Sequence, residues 1–275
     1  VRRNKELREE EGSGMQAATP HLATEAVLQA RALRKDFRGY TAVAGVDLDV
    51  RRGEIHALIG PNGAGKTTVF NLLTCFIKPT SGQILLDGID VSDQKPAELA
   101  RRGLVRSFQI SAVFPSLTVS ENLMVALQRV CVSPVAFWRS RGRLGDVSHR
   151  IDDLLRQVDL GDFSKVRAGD LSYGRKRALE LATTLAAEPK VLLLDEPTQG
   201  LGHEDVDRVT ALIKQAAVGR TVVMVEHNMK MVARIADRIS VLRRGEIIAD
   251  GSYDEVSRDP QVIESYLGTR REPKQ

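Results

Sequence analysis

With 275 residues, 42% hydrophobic and 28% charged, the chain has the composition of a soluble globular protein, one large domain or a domain with a subdomain. No apolar run approaches the ~18 residues of a membrane span, and the first residues are too charged for a signal peptide. A net charge of +4 is too small to imply a nucleic-acid partner.

Residues 1–24 are polar and interrupted by Gly, Ser and Pro, so a disordered tail is expected there, with a second short tail over 269–275. From Val27 the texture changes. VLQARALRKDF and VAGVDLDV alternate like antiparallel strands, and EIHALIG reads as a more buried strand. KTTVFNLLTCFI follows as a helix and QILLDGIDV as another strand. Between about 96 and 168 the chain reads as helical and irregular, with ENLMVALQRV and SHRIDDLLRQV the clearest helices. The remainder alternates: a helix over about 172–187, strand VLLLD, helix EDVDRVTALIKQ, strand TVVMVE, helix MKMVARIA. A hairpin, ISVLRRGEIIADG, and two short helices close it. Such alternation argues for an α/β fold, a parallel sheet covered by helices on both faces, with a helical insertion in the middle. Cys75 and Cys131 have no metal-type spacing and read as reduced core fillers.

GPNGAGKT, residues 60–67, fits G-x-x-x-x-G-K-[ST] between a predicted strand and a predicted helix. Gly60, Gly63 and Gly65 let the backbone wrap closely around Pro61, Asn62 and Ala64, so that consecutive N–H groups of the loop and the helix N-terminus can point at phosphate oxygens. Lys66 adds a charge for the β- and γ-phosphates, the Thr67 hydroxyl can ligate Mg²⁺, and Thr68 follows as a further nucleotide contact. VLLLDEP brings Asp195 and Glu196 to the C-terminal end of a buried strand, the sheet edge where the phosphate loop also emerges. Asp195 can hold Mg²⁺ through its water shell and Glu196 can polarise the attacking water. Taken alone, adjacent carboxylates at a strand end could equally cap a helix; the phosphate loop upstream favours the catalytic reading.

LSYGRKRALE, residues 171–180, places Arg175, Lys176 and Arg177 in the first turn of a helix. That end of a helix favours acids. Lys176 is expected to pair with Glu180 one turn on, and Arg177 to be solvated.

Together these stretches resemble the ATP-binding cassette (ABC) family of ATPases, over about residues 28–268. The resemblance implies a P-loop ABC cassette with a RecA-like, mainly parallel core, an N-terminal antiparallel β part, and a helical subdomain inserted at about 96–187. It implies that Phe37 stacks on adenine, that Gln109 in VRSFQ touches Mg²⁺ or water, and that His227 closing TVVMVEH contacts the γ-phosphate. It also implies a head-to-tail pair, in which Ser172, Tyr173 and Gly174 of one subunit cover the ATP of the other, with Arg175 a helper. Two stretches depart from the family pattern. Tyr173 and Arg175 stand where LSGGQ has Gly and Gln, and Gly202 stands where many cassettes carry Asp.

RSFQ, the LSYG form of the signature, EPTQGL, VEHNM and DPQVIESYLG look like the ATPase subunits of branched-chain amino acid uptake systems, a subfamily that also serves urea. Phe137 and Trp138, in an insertion before the signature, are expected to pack in the helical subdomain or to line a groove for a membrane partner. This narrower resemblance implies an importer ATPase using ATP and Mg²⁺. It would work with a second cassette (copy or paralogue), two transmembrane permeases and a periplasmic solute-binding protein, at the cytoplasmic face of the inner membrane. Two rivals lack their usual marks. A soluble ABC ATPase acting on DNA or the ribosome would bring coiled coils, zinc modules or a second cassette, and a G-protein-like switch would bring N-K-x-D.

Overall fold

The computed structural model describes residues 25–107, 113–131 and 142–267. Gln109, Phe137, Trp138 and both expected tails lie outside the described residues. Ten strands and nine α-helices are seen among them. The chain opens with β1 (Ala26–Phe37), β2 (Tyr40–Arg51), β3 (Ile55–Ile59) and α1 (Lys66–Leu73). Then come β4 (Ser81–Leu86), β5 (Ile89–Asp90), α2 (Pro96–Arg101), β6 (Leu104–Arg106), α3 (Val119–Cys131), α4 (Gly142–Gln157) and α5 (Tyr173–Leu185). The last part holds β7 (Val191–Asp195), α6 (His203–Ala216), β8 (Thr221–Val225), α7 (Met229–Ile235), β9 (Arg238–Arg243), β10 (Glu246–Gly251), α8 (Tyr253–Arg258) and α9 (Pro260–Leu267).

Two sheets organise these elements. The first is antiparallel, in the order β2-β1-β4-β5; the second runs β10-β9-β3-β8-β7-β6 and is parallel except for the edge strand β10. In β3, β7 and β8 every residue is buried, as expected of parallel strands covered on both faces. Their pleat sends alternate side chains into two separate cores. Leu58, Leu193, Val223 and Val225 pack with β1, β2, β4 and α1 around Phe70. Ile55, Ala57, Leu192, Leu194, Val222 and Met224 pack on the other side with α3 to α7.

Three elements differ from the sequence reading. QILLDGIDV is a hairpin, because Asp87 and Gly88 both take positive φ and close a two-residue turn. The first helix ends at Leu73: Cys75 adopts φ +54, and the amides of Phe76 and Ile77 both turn back to the Asn71 carbonyl. The stretch read as helical and irregular contains β6, which pairs with β7 and forms the edge of the large sheet. Cys75 is half-buried, its thiol directed at the Val91 carbonyl and pushed up to about 11 by burial. Among the described residues, no helix is long and apolar enough to cross a membrane.

Candidate nucleotide site

GPNGAGKT runs from the end of β3 into the first turn of α1, at the C-terminal edge of the large sheet. Gly60, Gly63 and Gly65 all have positive φ, of 152°, 79° and 105°. A Cβ on Gly60 would fall 2.1 Å from the Leu242 carbonyl oxygen, and one on Gly65 would fall 2.5 Å from that of Ala42. The loop is therefore wrapped against β2 and β9 as tightly as backbone allows. The β9–β10 turn completes it: the Gly245 amide donates to the Ala64 carbonyl at 2.8 Å, and the Ala44 amide donates to the Gly245 carbonyl at 2.8 Å. Lys66 is buried, and its ammonium donates to the carbonyls of Gly60 (2.7 Å) and Pro61 (3.1 Å). Burial pushes that ammonium below its ordinary range, against the opposing pull of the Glu196 and Asp195 carboxylates. Thr67 is exposed at the start of α1, with Thr68 beside it.

Gly60→Ala is expected to cost much more stability and nucleotide affinity than Gly63→Ala, whose Cβ would meet nothing within 4 Å. Positive φ alone costs a non-glycine residue about 1–3 kcal/mol. Thermal unfolding and titration with a fluorescent nucleotide would compare the two variants. Equal losses would show that contact with Leu242 is not what demands glycine.

Asp195 ends β7 and is nearly completely buried. Its Oδ2 accepts from Arg106 Nη2 at 2.5 Å. Glu196 follows in a left-handed conformation, φ 45°, which a non-glycine residue seldom adopts and which clusters at functional sites. Two backbone bonds hold it there: its amide donates to the Val225 carbonyl at 2.9 Å, and its carbonyl accepts from the Gln199 amide at 3.0 Å. The two carboxylates are thus turned to different surroundings within one residue.

The structure gives weight to a residue that lies within the quoted motifs but is not singled out by them. Glu226 is fully buried directly after β8 and accepts four hydrogen bonds. One oxygen takes the Thr198 amide (2.9 Å) and hydroxyl (2.6 Å); the other takes the amides of His227 (2.9 Å) and Asn228 (3.1 Å). It ties the turn after Glu196 to the backbone of His227, whose own ring is more than half exposed. An acid following four apolar residues was the signal available in the sequence. Glu226→Gln replaces one acceptor oxygen by a donor opposite these groups, so a loss of about 1–3 kcal/mol is expected. Urea unfolding measures it, and an unchanged midpoint would show the network to be dispensable.

Ser172 is the N-cap of α5, its hydroxyl accepting from the Arg175 amide at 3.5 Å. Tyr173 donates its hydroxyl to the Gln199 carbonyl at 3.3 Å, so the start of α5 rests on the loop that follows Glu196. Gly174 is required by packing as well: a Cβ there would lie 2.2 Å from Asp205 Oδ1 on α6. The three bases do not pair as their spacing suggests. Glu180 pairs with Arg177 (2.7 Å), and this pair is largely buried. Lys176 instead reaches back to the Gly169 carbonyl at 2.8 Å, and Arg175 lies 4.0 Å over the Phe163 ring. No acid stands in the first turn of α5 itself; the Asp205 carboxylate on α6 occupies that place from outside. Gly202, at the position where many cassettes carry Asp, is the N-cap of α6.

Phe37 ends β1 and faces Tyr40 across a turn at Arg38 and Gly39. Both rings are exposed, 44% and 61%, and Lys35 Nζ lies 5.2 Å from the Phe37 centroid. The structure therefore brings together the phosphate loop, Lys66, Asp195 and Glu196. Ser172, Tyr173 and Gly174 stand on a separate helix start, joined to the turn after Glu196 through Gln199.

The family described as ABC transporter matches residues 43–199, and the one described as branched-chain amino acid ATP-binding cassette transporter matches residues 246–272. The chain is 40% identical to the high-affinity branched-chain amino acid transport ATP-binding protein BraF of Pseudomonas aeruginosa, covering 88% of this chain and 98% of that one. It is 36% identical to the corresponding LivG protein of Escherichia coli K12, over 89% and 99% of the two chains. Among solved structures, the ADP conformation of an ATP-binding cassette of an ABC transporter superposes with a TM-score of 0.78 at 30% identity. That match covers 89% of this chain and all of the other.

Proposed function

Since the chain belongs to the ATP-binding cassette transporter family, we propose that it is the ATP-hydrolysing subunit of an importer for branched-chain or related amino acids. The observation that carries this reading is the meeting, at one sheet edge, of a glycine-wrapped loop with a buried lysine and a strand ending in two carboxylates. The loop, wrapped tightly on β2 and β9 through Gly60 and Gly65 and carrying the buried Lys66, fits phosphates, and the oxygen donors Thr67 and Asp195 fit a hard cation such as Mg²⁺. Bound there, Mg²⁺ would offset charge on the phosphates during transfer.

In this reading Gly60 to Thr68 bind the triphosphate, Lys66 turns from the loop carbonyls to the β- and γ-phosphates, and Phe37 stacks on the base. Glu196 accepts a proton from the attacking water. His227 contacts the γ-phosphate, and Gln109 touches Mg²⁺ or water. Ser172, Tyr173 and Gly174 act on the ATP of a second cassette, so ATP becomes the ligand that closes the pair and hydrolysis releases it. In this reading the inserted helical subdomain spans about 96–187 and carries α3 to α5. The pair would drive two permease subunits from the cytoplasmic face of the membrane, with a solute-binding protein delivering the cargo. Relatedness of residues 246–272 to the branched-chain subfamily supports this cargo class.

Reconstitution with candidate permease subunits, followed by uptake of labelled leucine, tests the proposal. ATP-dependent uptake is expected. Uptake of urea but not leucine would change the cargo and leave the ATPase reading intact; co-purification with rRNA or DNA in place of membrane proteins would overturn the transport reading.

A further inference from the structure

Arg106 sits at the end of β6, three residues before Gln109, and its side chain is nine-tenths buried. Its guanidinium is a bridge. Nη2 donates to Asp195 Oδ2 at 2.5 Å, while Nη1 donates to Asn71 Oδ1 at 2.6 Å and lies 3.5 Å from Thr74 Oγ1. The rings of Phe70 and Phe76 stand 5.8 and 5.7 Å from it, within cation–π range. Asn71 lies one helical turn beyond Thr67 on α1, so one side chain connects the helix carrying the Mg²⁺-ligating hydroxyl to the strand carrying the Mg²⁺-ligating carboxylate.

We infer that Arg106 is a positioning residue for the metal centre: it fixes the distance and orientation of Asp195 relative to α1. The inference rests on the reading of Asp195 as a metal-holding carboxylate. Chemistry favours positioning over simple charge balance. A planar fork can serve two acceptors held by different elements, whereas a lysine ammonium on a flexible stem serves them poorly. The two alternatives also predict opposite signs. A nearby cation repels a divalent metal, so if Arg106 were only a counter-charge, removing it would tighten metal binding. If it sets geometry, removing it weakens metal binding.

The experiment uses the full chain with ADP and Mn²⁺ as the probe, read by electron paramagnetic resonance, beside ADP affinity measured in EDTA. Arg106→Lys and Arg106→Met are expected to weaken Mn²⁺ binding about tenfold, equivalent to 1.4 kcal/mol, with metal-free ADP affinity unchanged within about twofold. Asn71→Ala keeps the ion pair but removes the shorter of the guanidinium's hydrogen bonds to α1 and its cap, and a weakening of about threefold is expected. It serves as the deciding variant should Arg106→Met fail to fold. Unchanged or tighter Mn²⁺ binding in Arg106→Lys and Asn71→Ala would overturn the inference, and so would an equal loss of metal-free ADP binding. Asp195→Asn separates the two readings. If it loses Mn²⁺ and the Arg106 variants do not, positioning fails alone; if it retains full Mn²⁺ affinity, the assignment of Asp195 fails as well.

Discussion

Glu196→Gln is expected to lower the turnover number by roughly 10²–10⁴-fold, the contribution of a placed general base, while leaving ATP binding intact. Glutamine matches glutamate in shape, so the left-handed turn at this position and its two backbone bonds to Val225 and Gln199 should survive. Lys66 loses one of the two carboxylates that oppose its desolvation, yet a bound triphosphate supplies far more negative charge than was removed. With hydrolysis slowed and binding kept, ATP stays in place as interfacial ligand, and a nucleotide-dependent dimer should accumulate. Steady-state phosphate release and size-exclusion chromatography with and without ATP test both halves. Turnover within twofold of the unsubstituted protein would exclude Glu196 as the base.

The second large effect belongs to the helix start at Ser172. Ser172→Arg is expected to abolish hydrolysis while a lone subunit still binds ATP through its own phosphate loop. The local structural cost is small, since the cap bond it removes is already long at 3.5 Å and an N-cap contributes ~1 kcal/mol. A complementation test gives the sharper outcome. Mixed with Lys66→Ala, itself inactive, Ser172→Arg should regain part of the activity, because one of the two composite sites then combines an intact loop with an intact Ser172. Loss of ATP binding by the isolated Ser172→Arg subunit would instead place Ser172 in the same site as its own loop.

Much of the architecture was legible because parallel strands buried on both faces are spelled as mostly apolar runs. IHALI, VLLLD and TVVMV are each buried throughout. β6 was not legible: it is three residues long, ends in an arginine, and owes its strand geometry to pairing with β7. The hairpin at Asp87 and Gly88 was present as a turn signal but lay inside a run that also fits one continuous strand. At the site, the phosphate loop and acidic strand are local in sequence and read directly. Arg106 and Glu226 are not, since their importance comes from partners 89 and 28 residues away. The three bases of α5 show the same limit. Spacing allowed Glu180 to choose Lys176 or Arg177, and only tertiary packing, which sends Lys176 to Gly169, decided the pair.

The wall of the phosphate loop is made late in synthesis. Residues 60–65 close on Leu242 and Gly245, about 180 positions further along, and β3 is flanked by β8 and β9, both near the C-terminal end of the chain. At ~5–20 residues per second, a ribosome needs roughly ten to forty seconds to pass from the loop to the residues that complete it. A nascent cassette therefore carries the glycines and the lysine long before it can hold a nucleotide. Its competence for ATP arrives late, with the C-terminal hairpin, and a chain truncated before that hairpin carries the whole motif without the site.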